Sequence, residues 1–218
     1  EADNLNRSVD AMLSADGFAF DPELGYLTAC PTNVGTGMRA SVMLHLPAMA
    51  MTGSIQSLIE TVGKFGYTLR GYYGEGTRAD GDMVQISNQV TLGLSEEEII
   101  GNLSEVVRSI IRKERSAREA LLKGDNGQLA DRLNRSLGIL KYARRLTTEE
   151  MMQRLSDVKL ALSLGLFEGV TAADLEKLTT LCQPASVSAT LTGASTADQR
   201  DEARAKMLRV ALKDCNVF

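Results

Sequence analysis

Two stretches of the sequence set an arginine beside glycine-rich turns, and a third sets two arginines four residues apart. The first, CPTNVGTGMRASVMLHLP (Cys30 to Pro47), holds a thiol, two glycines, Arg39 and the chain's only histidine. The second, RGYYGEG, runs Arg70, Gly71, Tyr72, Tyr73, Gly74, Glu75 and Gly76. An arginine on or at the mouth of a strand is costly to bury unless an anion meets it. Small neighbours let a bulky anion approach the backbone closely. Two such arginines suit a polyphosphate, with Glu75 set to meet a cationic acceptor of the transferred group. The third stretch, RDEARA (Arg200 to Ala205), puts Arg200 and Arg204 on one helical face. Both fall in the first two turns after Thr196, where backbone dipoles already favour anions.

Each stretch also has an ordinary reading. Gly35, Thr36 and Gly37 suit a hairpin turn, Cys30 a buried small hydrophobe, and RDEARA a solvated helix face. The glycines form neither GxGxxG nor the GxxxxGK pattern, which removes a Rossmann or P-loop site. His45 has no partner at ligand spacing, and its alternation with Leu44 and Leu46 turns it away from the core. No residue is assigned as a metal ligand.

The elements that must position these residues are legible from periodicity. Apolar residues at 5, 9, 12 and 13 predict a first helix, Asn4 to Leu13. Phe18 to Phe20, Tyr26 to Ala29 and Met38 to Leu46 read as strands, the last ended by Pro47. Ile55, Leu58, Ile59 and Val62 mark an amphipathic helix. Tyr67 to Tyr73 and Met83 to Leu92 are strand-like in their β-branched and aromatic content, with a polar glycine-rich loop between them. Ser95 and Glu98 form a capping box before a helix reaching about Leu122. Strands end there, and helices follow over 127–145, 148–164, 171–182 and 197–213. Thr147 with Glu150, Thr171 with Asp174 and Thr196 with Gln199 supply their start signals. The fold class is α+β: an antiparallel sheet flanked by helices over 1–122, then an all-helical domain over 123–218, divided at KGDNG.

Composition narrows the function. The chain has 218 residues, a net charge of −4, 44% apolar residues and no tryptophan. That charge gives no general attraction to nucleic acid or anionic lipid, and so few aromatics do not make a base-stacking surface. Residues 1–122 carry 10 basic and 16 acidic side chains and residues 123–218 carry 14 and 12, so the halves differ in sign. Three cysteines without CxxC spacing argue against a disulfide framework and a cysteine zinc site, and for a reducing, cytoplasmic compartment. No apolar run approaches the ~20 residues that span a bilayer.

YLTACPTNVGTGMRASVMLHLP closely resembles the signature of the ATP:guanidino phosphotransferases, whose motif reads C-P-S/T-N-x-G-T-G. RGYYGEG, QISNQVTLG, SDVKLALSLGL and RDEARA resemble the bacterial, McsB-type protein-arginine kinase branch. The resemblance covers essentially the whole chain. It implies ATP with Mg²⁺ as cofactor, Arg39 with Ala40, Ser41, Val42 and Met43 as one nucleotide-binding segment, and Arg70 with Gly71, Tyr72, Tyr73, Gly74 and Glu75 as another. It implies Cys30 as an active-site thiol beside the substrate guanidinium. It implies Arg200, Asp201, Arg204 and Ala205 as a phosphoarginine-binding allosteric site. Partners implied are arginine-bearing protein substrates, phosphoarginine, a Clp-type protease system and a second copy in a homodimer, with no nucleic acid and no membrane. The implied activity is transfer of the ATP γ-phosphoryl to protein arginines, a mark for ATP-dependent proteolysis. A small-guanidino-compound kinase and a non-catalytic phosphoarginine-binding module are the alternatives. The family's further carboxylates and phosphate-binding arginines are expected upstream of Glu1, so this stretch alone is expected to turn over little.

Overall fold

The computed structural model describes residues 2–13, 17–72, 80–191 and 195–217. Helix α1 (Ala2–Leu13) leads to two short antiparallel strands, β1 (Phe20–Asp21) and β2 (Gly25–Tyr26). The turn between them is closed by Asp21, whose Oδ1 accepts the backbone N–H groups of Glu23 and Leu24 at 2.8 and 2.9 Å. Next come β3 (Ser41–His45), α2 (Pro47–Met51), α3 (Ile55–Gly63), β4 (Tyr67–Gly71), β5 (Met83–Asn88) and the long α4 (Glu96–Lys123). Strands β3 and β4 both pair antiparallel with β5, giving the order β3-β5-β4. Pro47 does end the strand, and it also begins α2: a first helical residue needs no N–H.

Alternation along the strands decides what the sheet offers on each side. Leu44, Val84, Ile86 and Leu69 face inward and pack on Leu58 and Val62 of α3 and on Leu103, Val107 and Ile110 of α4. Ser41, Met43, Gln85 and Arg70 lie on the opposite face, with Met43 and Arg70 both level with Gln85. The apolar stripe of α4 is continued by a carboxylate. Buried Glu114 accepts the N–H groups of Ala48 and Met49 at 3.1 and 2.9 Å, the open first turn of α2, and takes Arg118 Nε at 2.7 Å. A buried charge with three donors is tolerated where an unpaired one is not.

The second half holds α5 (Gln128–Tyr142), α6 (Thr148–Ser163), α7 (Ala172–Leu181), α8 (Pro184–Thr190) and α9 (Ala197–Ala211). The expected Thr171 and Thr196 capping boxes are both formed, and Thr147 caps α6. Two features differ from the sequence reading. Residues 184–190 are helical, started by Pro184 at the first position. The half also contains one two-residue antiparallel pair, β6 (Phe167–Glu168) with β7 (Asn216–Val217). Gly169 sits beside that pair at φ +81°, and a Cβ there would lie 1.9 Å from Asp214 O.

Helix α6 is buried among its neighbours, with Met151, Met152, Leu155, Val158, Leu160 and Ala161 all within the core. Its other contacts reach the sheet half. Ser156 Oγ donates to Asp82 Oδ2 at 2.5 Å, so it must accept from His45 Nε2–H at 2.8 Å, since a hydroxyl has one proton. His45 therefore lies off the sheet's core face, as its alternation with the leucines indicates, and points across the seam to α6. Gln153 Nε2 also donates to Asp82 at 3.3 Å. Arg118 bridges the same seam, donating to Ser163 Oγ and to His45 O.

Candidate functional site

The signature segment is held by two residues that leave β5. Asn88, 5% exposed, accepts the N–H of Ala40 at 2.8 Å and donates to Met38 O and Val90 O, both at 3.0 Å. Thr91 donates its hydroxyl to Val34 O at 2.7 Å and shares it with Thr32 O at 3.2 Å, and its own carbonyl accepts Thr36 N–H. Gly35 is not at a hairpin turn. It bridges to Tyr26, with φ +109°, and a Cβ would lie 2.2 Å from Thr91 O. The glycine is there because backbone passes backbone.

Fixed in this way, Arg39 is exposed two residues before β3, and Arg70 is exposed on β4. Neither guanidinium is buried, so the desolvation argument that singled them out does not apply to the folded chain. They flank the open sheet face, roughly 14 Å apart along the strands and roughly 10 Å across them from ordinary sheet spacings. Between them Gln85 Nε2 donates to Ser41 Oγ at 2.9 Å. Of the remaining segment residues, Ser41 and Met43 share that face, whereas Val42 and Gly71 are on the core side by alternation. Ala40 is half-buried at the Asn88 strap, and Tyr72 packs against the helical core. Tyr73, Gly74 and Glu75 lie outside the described residues.

Cys30 is exposed at the start of a single 3-10 turn, Pro31–Asn33. Its Sγ is 3.0 Å from Thr32 Oγ1. The Thr32 hydroxyl, then the Thr32 backbone, pull the thiol below its ordinary pKa. The cause is local hydrogen bonding and not the cationic neighbour that an active-site thiol suggests. Burial does the reverse to the other two thiols, pushing Cys182 up to about 11 and raising Cys215.

In RDEARA the two arginines differ. Arg200 is half-buried and donates from one terminal nitrogen to Ser195 O at 2.6 Å. Arg204 is 1% exposed and donates to Cys182 O at 2.8 Å, Leu146 O at 2.6 Å and Asp201 Oδ1 at 2.6 Å. It ties the end of α7 and the approach to α6 onto α9. Asp201 is half-buried beside it, and Ala205 lies in the core. Sequence reasoning missed Asn88, Thr91 and the structural use of Arg204. Arg204, Leu208 and Leu212 recur every four residues and are all buried, a stripe visible in the sequence.

Residues 2–117 match the family model described as ATP:guanido phosphotransferase, C-terminal catalytic domain, more than half of the chain. The chain belongs to the ATP:guanido phosphotransferases. Residues 126–217 match the model described as protein-arginine kinase McsB C-terminal domain. This ATP:guanido phosphotransferase is 50% identical over 196 residues to the protein-arginine kinase of Halalkalibacterium halodurans, covering 90% of the chain and 55% of the relative. It is 46% identical over 214 residues to that of Brevibacillus brevis, covering 98% and 60%. The chain thus spans somewhat over half the length of these relatives. A lombricine kinase structure overlaps 57% of the chain and 34% of its own at 31% identity and a TM-score of 0.46, too partial to add to the assignment.

Proposed function

We propose that this chain acts as part of a protein-arginine kinase. It moves the γ-phosphoryl of ATP to a guanidinium nitrogen of arginine side chains in proteins. The single observation that supports this most is the joining, in one chain, of a guanido-phosphotransferase catalytic segment to a McsB-type C-terminal segment. In the reaction an N–P bond forms as the Pγ–O bond to ADP breaks, and the guanidinium gives up a proton. A guanidinium is a poor nucleophile until a carboxylate orients it and accepts that proton, the role proposed for Glu75. The transferring phosphoryl is highly charged, and fixed cations such as Arg39 and Arg70 at the flanks of the sheet face stabilise it. Cys30, whose thiol pKa the Thr32 hydrogen bonds lower, is proposed to lie beside the cationic acceptor.

Mg²⁺ is proposed to accompany the nucleotide. Among the described residues no three ligating side chains come together, so none is assigned to hold it. The proposal extends to a cytoplasmic homodimer whose phosphoarginine mark directs proteins to a Clp-type protease. Phosphoarginine itself would bind at Arg200 and Asp201, with Arg204 and Ala205 holding the helix from beneath. The test is phosphorylation by the full-length protein of an arginine-rich protein against free arginine, read as acid-labile phosphoarginine by mass spectrometry. Transfer to free arginine alone would favour the small-guanidino kinase. Arg39→Ala and Arg70→Ala should each lower turnover by ~10²–10³-fold, and a loss of only a few-fold in both would remove them from the phosphate site.

A further inference from the structure

The outward side of α9 carries a cluster of cations that the proposed function does not use. Gln199, Glu202, Ala203, Lys206 and Arg209 follow one another at helical spacing along that side, opposite buried Arg204, Ala205 and Leu208. With Arg144 and Arg145 from the α5–α6 connection they line an open cleft of about 610 Å³. Four positive side chains thus line the cleft with one carboxylate, Glu202, and a second, Asp198, reaches one of them from outside the lining, in a chain whose net charge is negative.

The cations are unequally engaged. Arg145 is paired with Glu202 at 2.9 Å and with Asp198 at 3.5 Å. Arg209 donates to Ala143 O. Arg144 and Lys206 are exposed, and the side chain of neither has a hydrogen bond or ion pair to any described residue. Two fixed arginines therefore form the walls, and two unpaired cations stand over the cleft.

We infer that this cleft binds an acidic peptide segment of a partner protein. From Gln199 to Arg209 the helix rises about 15 Å, the length of four or five extended residues. Leu191 and Ala203 supply apolar contact between the charges. The lining contains no aromatic ring on which a base could stack, and the whole chain's charge opposes nucleic acid. Charge complementarity here sets register and partner choice, and its strength falls with salt. The site goes beyond the phosphoarginine reading, because it uses none of Arg200, Asp201 or Arg204.

The probe is a fluorescein-labelled hexapeptide of alternating glutamate and aspartate, titrated with the 218-residue chain and read by anisotropy. A glutamine and asparagine hexapeptide and a labelled single-stranded hexanucleotide run alongside. Binding of the acidic peptide is expected, several-fold weaker on raising salt from about 50 to 200 mM. Arg144→Ala with Lys206→Ala should weaken it at least tenfold while the melting temperature stays at the wild-type value, since neither side chain has a folded-state partner. Arg200→Ala, which removes only the brace on Ser195 at the cleft's edge, should weaken it far less than the double variant, which separates this site from the phosphoarginine proposal. The inference is overturned if the acidic peptide binds no better than the neutral one, if the double variant binds within twofold of wild type, or if the oligonucleotide binds as well as the peptide.

Discussion

Replacing Arg204 with alanine is expected to weaken the fold of the helical half before it reports on any ligand. The guanidinium donates to Cys182 O, Leu146 O and Asp201 Oδ1, all at 2.6–2.8 Å, in a site 1% exposed. Alanine would leave two carbonyls of buried residues unpaired, at about 1–3 kcal/mol each. Asp201, half-buried, can take water instead. Losing one partner of a buried pair costs about 3–5 kcal/mol in general, so about 4 kcal/mol is a fair central figure. That is a large part of the ~5–15 kcal/mol that stabilises a typical protein. For a chain of this size it lowers the melting temperature by roughly 8–16 °C. Arg204→Lys should recover only part, because one ammonium cannot reproduce the planar fork that serves three acceptors. The assay is thermal denaturation of the 218-residue chain by circular dichroism, with phosphoarginine calorimetry on the same samples. Arg200→Ala is the comparison, since among the described residues its guanidinium donates to the neighbouring Ser195 alone. An Arg204→Ala melt within about 2 °C of wild type, with phosphoarginine binding abolished, would show that the guanidinium serves a ligand and not the scaffold.

Three further outcomes follow from the structure. Iodoacetamide at pH 6.5 should label Cys30 ahead of Cys182 and Cys215, because its lowered pKa keeps thiolate present at lower pH while the other two are buried and raised; Thr32→Val should slow that labelling, and an unchanged rate would remove the hydroxyl as the cause. His45 has its pKa lowered to about 3 by burial, then by Lys159 and Arg118, so the unfolded chain takes up a proton below about pH 6.5 that the folded chain refuses. Stability contributed by neutral His45 is complete above that pH and lost on acidification, by about 2 kcal/mol between pH 7.5 and 5. The raised pKa of Asp82 acts the other way, so urea melts should be compared with His45→Gln, and equal pH slopes in the two proteins would contradict the assignment. Gly169→Ala should destabilise by more than the ~1–3 kcal/mol of backbone strain alone, because its Cβ would meet Asp214 O. Gly165→Ala, at φ +72° with nothing within 4 Å, isolates the strain, and equal melting shifts would mean that the contact relaxes freely.

Much of the scaffold was readable because its signals are local. The Ser95, Thr171 and Thr196 caps each involve residues three apart, and helical stripes repeat within one turn. What was not readable depends on partners distant in the chain. Alternation correctly put His45 off the sheet's inner face but could not say that α6 covers that end, since Ser156 is 111 residues away. Gly35 looked like a turn residue because the backbone it grazes, at Thr91 beyond the end of β5, is also remote in sequence. Residues 184–190 make a helix of only seven mostly small residues, too short for a clear periodicity, although its opening proline was visible. Arg200 and Arg204 looked equivalent by their spacing of four. The neighbours Leu208 and Leu212 show which of the two belongs to the buried stripe.

The seam on α6 bears on how the molecule comes apart. Its two segments match separate family models, which invites the view that each could be prepared alone. Yet Ser156 sits between Asp82 and His45, and Arg118 joins Glu114 to Ser163, so removing either segment strands buried polar groups in the other. Such shared groups make unfolding cooperative across the KGDNG connection. Heating or urea should take both segments through one transition, with far-ultraviolet dichroism and calorimetric enthalpy in agreement. A cut at residue 125 would then yield two pieces each less stable than the whole.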